Sequence, residues 1–317
     1  MIIYIVRRIL YAAPVALGVA LLVFLLVHIA PGDPIAAILP PEAPQELVVK
    51  LKAYYGFDKP LPIQFLRWLV VVLGGDLGTS VATGRPVAGE IGRALTNTLI
   101  LAASASILAF SLASILGTLA AYSRRPIVDR LITAISVTGV SVPHYWLAMV
   151  LVVIFAVQLR VLPPMGLGPE SAGGWRPDLP HLAHMVLPTI ALSVIPLGIV
   201  TRSIRATVRE TLNQEFVIAL RAKGLTRGLV LRHVVKNAAP VCLAVMGLQL
   251  GNLIGGSILI ETVFSWPGTG FLLNTAIFRR DLPVLQGTTL VLAMFFVGLN
   301  LLVDLLQSLI DPRIKRA

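Results

Sequence analysis

Charged residues are scarce in this chain. Only 13% of its 317 residues are Asp, Glu, Lys or Arg, whereas 56% are hydrophobic, and the mean hydropathy is +0.87. A soluble domain would carry about twice that charged fraction. The composition therefore excludes an ordinary soluble globular protein and indicates a membrane protein.

Cysteine and the common catalytic motifs are also nearly absent. Cys242 is the only cysteine, so no disulfide can form within the chain. No Gly-Lys dipeptide occurs, which excludes a phosphate-binding P-loop, and neither HExxH nor GxSxG is found. His181 and His184 form an HxxH pair, but no carboxylate or cysteine completes a close ligand set. We therefore expect no enzyme, no cofactor and no metal site.

Long uncharged runs dominate the sequence instead. Six of them are each at least 22 residues long, which is enough to cross the hydrocarbon core of a bilayer. They predict an all-α membrane protein with six spans, the first being an uncleaved N-terminal span because its apolar core is too long for a cleaved signal. The runs are 9–32, 94–123, 131–159, 179–201, 237–260 and 282–303.

The positive charges are distributed unevenly between the two faces that six spans create. If both termini and the inner segments 124–130 and 202–236 share one face, that face holds sixteen of the 26 Lys and Arg residues. The other face includes a long segment from Asp33 to Arg93. Because short cytoplasmic loops are enriched in Lys and Arg, we expect both termini in the cytoplasm. The net charge of +11 then reflects topology and implies no nucleic-acid partner.

The central segment 202–240 carries eight of these basic residues. Each would cost a few kcal/mol at the centre of a membrane helix, so we expect a large solvent loop. Thr211 and Gln214 have the spacing of a capping box, which predicts a helix start. Lys223 and Gly224 have the character of a helix end.

A second short helix is expected after this glycine. Thr226 offers its N-cap, and Pro240 stands where it can open the following span at its first turn. The segment therefore predicts a helix, a glycine corner and another helix.

Other local signals concern single spans and the outer segment. Pro143 predicts a break at Val142 with a membrane helix over His144 to Leu159. In the outer segment, Gln45 to Tyr55 and Pro62 to Leu73 are expected to be helical. Arg202, Arg205 and Arg209 fall on one helix face, where they anchor the helix end, hold lipid headgroups or orient the loop.

A glycine stripe marks the fifth span. Gly247, Gly251 and Gly255 recur at four-residue spacing, and Asn252 lies among them. Such a stripe permits close contact between helix backbones. Two interpretations stay open, namely packing within the chain and a surface that lines a path across the membrane or meets a second subunit.

Four separated motifs carry a resemblance to a known family. The run EFVIALRAKG at 215–224, followed by Asn-Ala-Ala-Pro at 237–240, resembles the cytoplasmic EAA loop of ABC importer permeases of the dipeptide, oligopeptide and nickel class. Leu220 departs from the family's usual alanine at that position. Similar matches lie in the opening segment 7–34, in the outer segment 74–99, and in 261–270.

The resemblance implies a type I ABC importer permease fold and a permease subunit of an ATP-driven importer for di- or oligopeptides or a related small solute. The implied partners are a second homologous permease, two P-loop ATPase subunits, an external solute-binding protein and the lipid bilayer of a bacterial or archaeal inner membrane. The implied organisation is an N-terminal helix 1–30, an external segment 31–93, a permease domain 94–310 containing the loop 202–240, and a cytoplasmic tail 311–317.

The resemblance also implies which residues couple the chain to an ATPase. Phe216 and Leu220 are expected to act as knobs and Gly224 as the corner. The full implied set is Glu215, Phe216, Ala219, Leu220, Arg221, Ala222, Lys223 and Gly224.

Two alternatives remain beside this interpretation. The basic loop alone is compatible with an anchor to anionic lipid. An ion-coupled secondary transporter of a small solute is the main rival function, although such proteins usually place ionisable residues or broken helices near the membrane midplane, and few ionisable residues lie deep in these spans. A channel or an intramembrane enzyme has no supporting motif.

Overall fold

The computed structural model of the chain describes residues 2–29, 44, 58–169 and 174–310. Regular structure in these residues is helical, apart from an isolated bridge between Thr79 and Pro86. A π-helical turn over Val152–Gln158 continues α5. The helices are α1 (Ile2–Ile29), α2 (Leu61–Leu73), α3 (Val87–Tyr122), α4 (Pro126–Ser141), α5 (His144–Leu151), α6 (Leu179–Leu212), α7 (Glu215–Ala222), α8 (Arg227–Val263), α9 (Thr269–Arg279) and α10 (Leu282–Ile310).

The chain forms two compact units. Among the described residues, the larger unit comprises those within Asn97–Trp266 and 299–310, and the smaller unit comprises those within Ile2–Thr96 and Pro267–Gly298. In the larger unit α6 packs against α4, α5 and α8, and the short α7 packs against α8.

Two apolar clusters hold the larger unit together. The first surrounds Trp266 and Phe264, which are almost fully buried, and includes Leu101 and Leu187. The second is built on valines whose buried side chains come from α6, α7 and α8: Val200, Val208, Val217, Val230 and Val234. Because each such side chain contributes about 1.5–3 kcal/mol on burial, the second cluster fixes the short α7 to two much longer helices.

The smaller unit contains α1, α2 and α9. Phe24 of α1 lies 5.4 Å from Phe65 and 5.7 Å from Trp68, measured between ring centroids. These contacts place α2 on α1, and they confirm the predicted helix over Pro62 to Leu73. The other predicted outer helix, Gln45 to Tyr55, lies outside the described residues. Helix α9 had no sequence prediction.

The structure does not confirm the count of six spans. Within the described residues, four helices are long and apolar enough to cross a membrane, namely α3, α6, α8 and α10, the last through its segment Leu282–Val303. A fifth span results if α4 and the bent α5 with its π-helical turn are taken together. In α1 the described apolar stretch Leu10–Leu25 is shorter than a full span.

Prolines have different effects at different places. Pro143 follows the end of α4 at Val142 and opens α5, and the two helices are bent by 97°, which confirms the predicted break. Pro188 and Pro196, in contrast, lie inside an unbroken α6.

Two predicted helix boundaries are wrong. Pro240 does not open a helix, because α8 runs through it from Arg227 to Val263. Thr211 does not cap one either, since it lies within α6 and its hydroxyl donates to the carbonyl of Thr207 at 2.8 Å. The segment 202–240 therefore consists of the C-terminal end of α6, the short helix α7 and the N-terminal part of α8.

Gly198 sets how closely α6 approaches α4. A Cβ at this position would lie 2.5 Å from the carbonyl oxygen of Ser136 and 2.7 Å from a methyl group of Val140. A backbone oxygen cannot move aside cheaply, so any larger residue forces the two helices apart.

We expect Gly198→Ala to lower the stability of the protein by about 1–3 kcal/mol, the usual cost of overpacking. The measurement is thermal unfolding in detergent, followed by tryptophan fluorescence. Gly228→Ala is the matched control, because a Cβ there meets nothing within 4 Å and alanine is the better helix former. An equal melting temperature for the two variants would contradict the close approach described here.

Candidate functional site

The corner between α7 and α8 is formed by Gly224. Its φ of +79° is left-handed, a conformation that glycine adopts without the steric cost of a Cβ. Helix α7 ends at Ala222, and the N–H of Gly224 donates to the carbonyl of Arg221 at 2.9 Å. Thr226 precedes α8 in an extended conformation, although its side chain makes no capping bond. The predicted order of helix, glycine corner and helix is confirmed.

Helix α7 has an inner and an outer face. Val217 is fully buried in the second apolar cluster, and Phe216 and Leu220 are partly buried against the same cluster. The large apolar residue that α7 exposes is Ile218, which has 62% of its surface accessible. The structure therefore places both expected knobs against the chain itself, and it exposes a residue that the sequence analysis did not single out. The remaining predicted coupling residues are all exposed: Glu215, Ala219, Arg221, Ala222, Lys223 and Gly224.

An ion pair joins the start of α4 to the end of α6. Arg205 donates to Asp129 through Nε, and its Nη2 lies 2.6 Å from the second carboxylate oxygen. Arg209 reaches the same carboxylate at 3.4 Å. Asp129 is 19% exposed and Arg205 27%, so both groups are largely withdrawn from solvent. Two of the three arginines in the predicted stripe thus contact a carboxylate of the chain, while Arg202 is exposed.

The glycine stripe of α8 is divided between buried and open positions. Gly247 and Gly251 are buried, and a Cβ at Gly247 would collide with Val303 of α10. Gly255 is exposed, and a Cβ there would meet nothing within 4 Å. Asn252 is exposed on the same helix. Gly247 and Gly251 therefore serve packing within the larger unit. Asn252 and Gly255 lie on an exposed side of α8, which we call the free face.

The opposite end of α8 is fixed by polar contacts inside the larger unit. Glu261 is fully buried and accepts hydrogen bonds from Thr98 at 2.8 Å and Ser257 at 2.9 Å. The indole N–H of the buried Trp266 donates to the carbonyl of Asn97 at 3.1 Å. These contacts tie the end of α8 to the segment of α3 that begins at Asn97.

A buried carboxylate organises part of the smaller unit. Asp281 is 3% exposed, accepts the hydroxyl of Ser80 at 2.5 Å, and accepts the backbone N–H of Ala82 at 3.1 Å. It also accepts the N–H of Val284 at 3.4 Å in the first turn of α10. One side chain thus caps a helix and holds the loop that contains the Thr79–Pro86 bridge. No motif in the sequence predicted this role.

The HxxH pair does not converge on one point. Nδ1 of His181 lies 2.5 Å from a carboxylate oxygen of Asp178, whereas Nδ1 of His184 lies 2.8 Å from the carbonyl of Pro180. The backbone N–H and then the ring of His181 hold the pKa of Asp178 below its ordinary value. Among the described residues, no group of three or more His, Cys, Asp or Glu has the geometry to hold a metal ion.

Comparison with known families confirms the resemblance that the sequence motifs carry. Residues 113–316 match the family described as binding-protein-dependent transport system inner membrane component, and residues 1–103 match its N-terminal family. The chain belongs to this family. It is a multi-pass inner membrane permease subunit of an ABC importer, as the sequence motifs indicated, and these findings give no support to the ion-coupled alternative.

Relatives of the permease cover nearly its full length. A dipeptide transport system permease of Alkalihalophilus pseudofirmus is 37% identical, with 99% of this chain and 100% of the relative aligned. A glutathione transport system permease of Salmonella paratyphi A is 38% identical, with 98% of each chain aligned. A metal-staphylopine import system permease of Staphylococcus aureus is 34% identical over 98% of each chain.

A solved structure shares the fold of the permease. A chain of the MetNI methionine ABC transporter, in an inward-facing crystal form, matches with a TM-score of 0.56 and 18% identity. The match covers 70% of this chain and 96% of the solved one. The predicted type I importer fold is confirmed at the level of architecture.

We expect the Asp129–Arg205 ion pair to contribute measurably to the stability of the permease. In a double-mutant cycle with Asp129→Asn and Arg205→Gln, each single variant should melt earlier, because Asp129→Asn removes the partner of Arg205 and Arg205→Gln leaves Asp129 with only the longer contact to Arg209. The coupling energy should be about 1.5–3 kcal/mol, as for charged hydrogen bonds withdrawn from solvent. Arg202→Gln is the control, since Arg202 is exposed. Additive effects of the two substitutions would contradict the interaction.

Proposed function

We propose that this permease works with a second homologous permease, two P-loop ATPase subunits and an external solute-binding protein, and that both of its termini face the cytoplasm. The absence of any Gly-Lys dipeptide supports an ATPase site on another polypeptide. The excess of Lys and Arg in the segment that contains α7 supports a cytoplasmic position for that segment. In this arrangement α7 is the natural contact for the ATPase.

The observation that carries this proposal is the exposure of Ile218. In a segment rich in charge, α7 presents one large apolar side chain at 62% exposure, flanked by the small residues Ala219 and Ala222. We call these three residues the docking face. A bulky apolar residue beside two alanines fits a concave apolar site on a partner, whereas a lipid anchor would present mainly its cations.

The inner face of α7 supplies the mechanical connection. Val217 is buried among valines of α6 and α8, so a displacement of the docking face is transmitted to both long helices. We propose that closure of the ATPase subunits moves α7 in this way and reorients the spans. The solute, delivered by the binding protein, then enters the path between the two permeases.

The free face of α8 supports a position on this path. Asn252 and Gly255 are exposed, and Leu248 and Leu259 lie on the same side of the helix, four residues before and after them. A polar amide on an exposed face of an apolar helix is costly against lipid and is favoured against water or a partner. Asn252 and Gly255 are therefore our candidates for the lining of the path or for the contact with the second permease.

We propose small peptides, or solutes with similar amide and carboxylate groups, as the transported class. Relatives that are 34–38% identical are named for dipeptide, glutathione and metal-staphylopine transport. This spread of names at similar identity supports a class of solute rather than one compound.

Uptake by the reconstituted complex should depend on ATP and on the binding protein, and should persist when ion gradients are collapsed.

Ile218→Asp should abolish co-purification of the ATPase subunits with the permease from mild detergent. Removing a buried isoleucine from an interface costs about 1.5–3 kcal/mol, and an aspartate adds an unpaired charge, so the affinity should fall more than tenfold. Phe216→Leu is the matched control, because Phe216 packs inward and should affect stability rather than association. Undiminished co-purification of the Ile218→Asp variant would argue against docking through this face.

Gly224→Ala should reduce uptake per ATP hydrolysed while the protein still inserts into the membrane. The left-handed conformation costs a residue with a Cβ about 1–2 kcal/mol, so the corner should relax and shift α7. Gly228→Ala serves as the comparison, since both positions have open space around a Cβ but only Gly224 has a positive φ. An unchanged ratio of uptake to ATP hydrolysis in the Gly224 variant would contradict the role of the corner.

A further inference from the structure

The larger unit contains a small cavity between α5, α6 and α8. Its volume is about 50 Å³, and its polar lining residues are His144, Gln249 and Asn252. The remaining lining is mainly apolar and includes Leu192 and Pro196. Among the described residues, no Asp, Glu, Lys or Arg lines this cavity. It is therefore a mainly apolar cavity whose lining includes three polar side chains.

Gln249 is the most informative residue of this site. It is only 7% exposed, and its side-chain amide makes no hydrogen bond within the described part of the chain. The amide is not fully enclosed, because Gln249 lines the cavity and keeps a small accessible surface. An amide that lines a cavity and lacks a partner within the described chain is suited to a partner that arrives from outside.

The neighbouring groups complete a set of hydrogen-bonding positions. Nε2 of His144 lies 3.2 Å from the carbonyl of Gly256, and a carbonyl only accepts, so in the neutral ring Nδ1 is left as an acceptor. Pro196 has no N–H, so the carbonyl of Leu192 one turn earlier receives no bond from it. Asn252 adds a second amide that makes no hydrogen bond within the described residues.

The size of the cavity limits what it can hold. Sites for whole small molecules usually measure roughly 300–1,000 Å³, whereas one water occupies about 30 Å³. A cavity of about 50 Å³ accommodates one functional group of a solute. It suits brief contact with a passing solute rather than tight retention.

We propose that His144, Gln249 and Asn252 form a subsite that contacts an uncharged hydrogen-bonding group of the solute, such as a peptide amide, during passage. This inference rests on the proposed function, because it assumes that the free face of α8 borders the translocation path. It adds a location and a chemistry: paired donors and acceptors with no fixed charge. Such a site exchanges hydrogen bonds with the solute without selecting for its net charge.

The first test asks whether the subsite is open to water and does not depend on the identity of the solute. Cys242 is the only cysteine of this chain, so Cys242→Ser removes every thiol from the permease subunit, and labelling is followed on that subunit. In this background Gln249→Cys and Asn252→Cys are each treated, in the complete transporter, with a cationic methanethiosulfonate reagent. Thiols react as thiolates and therefore only where water reaches them.

We expect both cysteines to be labelled, and the rate to change when ATP and the binding protein are added. Leu243→Cys is the matched control, since Leu243 is 40% exposed on the same helix but lies on the side opposite Asn252. It should be labelled at least about tenfold more slowly than Asn252→Cys if it faces lipid. If neither Gln249→Cys nor Asn252→Cys is labelled, the inference is overturned, whatever the solute.

The second test uses charge to detect contact with the solute. Asn252→Asp and Asn252→Lys are compared for uptake of alanyl-lysine and alanyl-glutamate by the reconstituted importer. If the subsite faces the passing solute, the ratio of the two uptake rates should shift about tenfold in opposite directions in the two variants. An unchanged ratio in both variants, with uptake retained, would overturn the contact.

The two tests separate this inference from the proposed function. If the unaltered transporter imports neither peptide but both cysteines are labelled, the proposed solute class is wrong and the water-accessible subsite stands. If uptake requires no ATPase, the proposed function itself fails. If ATP-driven peptide uptake is present but the cysteines stay unlabelled, only the subsite is refuted.

Discussion

Lipid offers no partner for a charge, and this constraint decides where the charged residues of the permease lie. The ends of α6 and α8 that flank α7 carry a cluster of basic residues, whereas the apolar middles of the long helices carry very few charges. Where a charged group lies beside packed helices, as Asp129 does, arginines of a neighbouring helix contact it. Buried groups elsewhere follow the same rule, since Glu261 and Asp281 each accept several hydrogen bonds. Helix packing then adds the close contacts at Gly198 and Gly247 to this arrangement.

The short helix α7 illustrates how much of the structure is tertiary. Eight residues form barely two turns, and an isolated helix of this length is not stable in water. Its stability comes from Val217 and its partly buried neighbours, which attach it to the second apolar cluster. The same attachment leaves the exposed face free for a partner. In the proposed arrangement, α7 therefore combines the contact with the ATPase and the connection to the long helices.

Features that depend on composition or on the properties of one residue were predicted well from the sequence. The ends of the helices were predicted less well. Membrane character, the break at Pro143 and the left-handed Gly224 follow from apolar length, from proline sterics and from the lack of a Cβ, which are local properties. Pro240 and Thr211 misled the analysis because tertiary packing carries α6 and α8 beyond their apolar segments, and a long packed helix tolerates an internal proline.

Other features required the three-dimensional arrangement. The contact between Asp129 and Arg205 spans 76 residues of sequence, and that between Ser80 and Asp281 spans 201. The inner and outer faces of α7 could not be assigned from its sequence, since Phe216, Ile218 and Leu220 are all apolar. Only the burial of Val217 decides that Ile218 faces outward.

Helix α8 runs without interruption from Arg227, just after the corner at Gly224, to Val263, just past the buried Glu261. Its 37 residues correspond to a rod of about 55 Å, longer than the hydrocarbon core is thick. If the helix tilts as one piece, a rotation of about 10° around its far end displaces the end beside α7 by about 10 Å. In the proposed arrangement, a movement of α7 by about its own width therefore tilts the whole of α8.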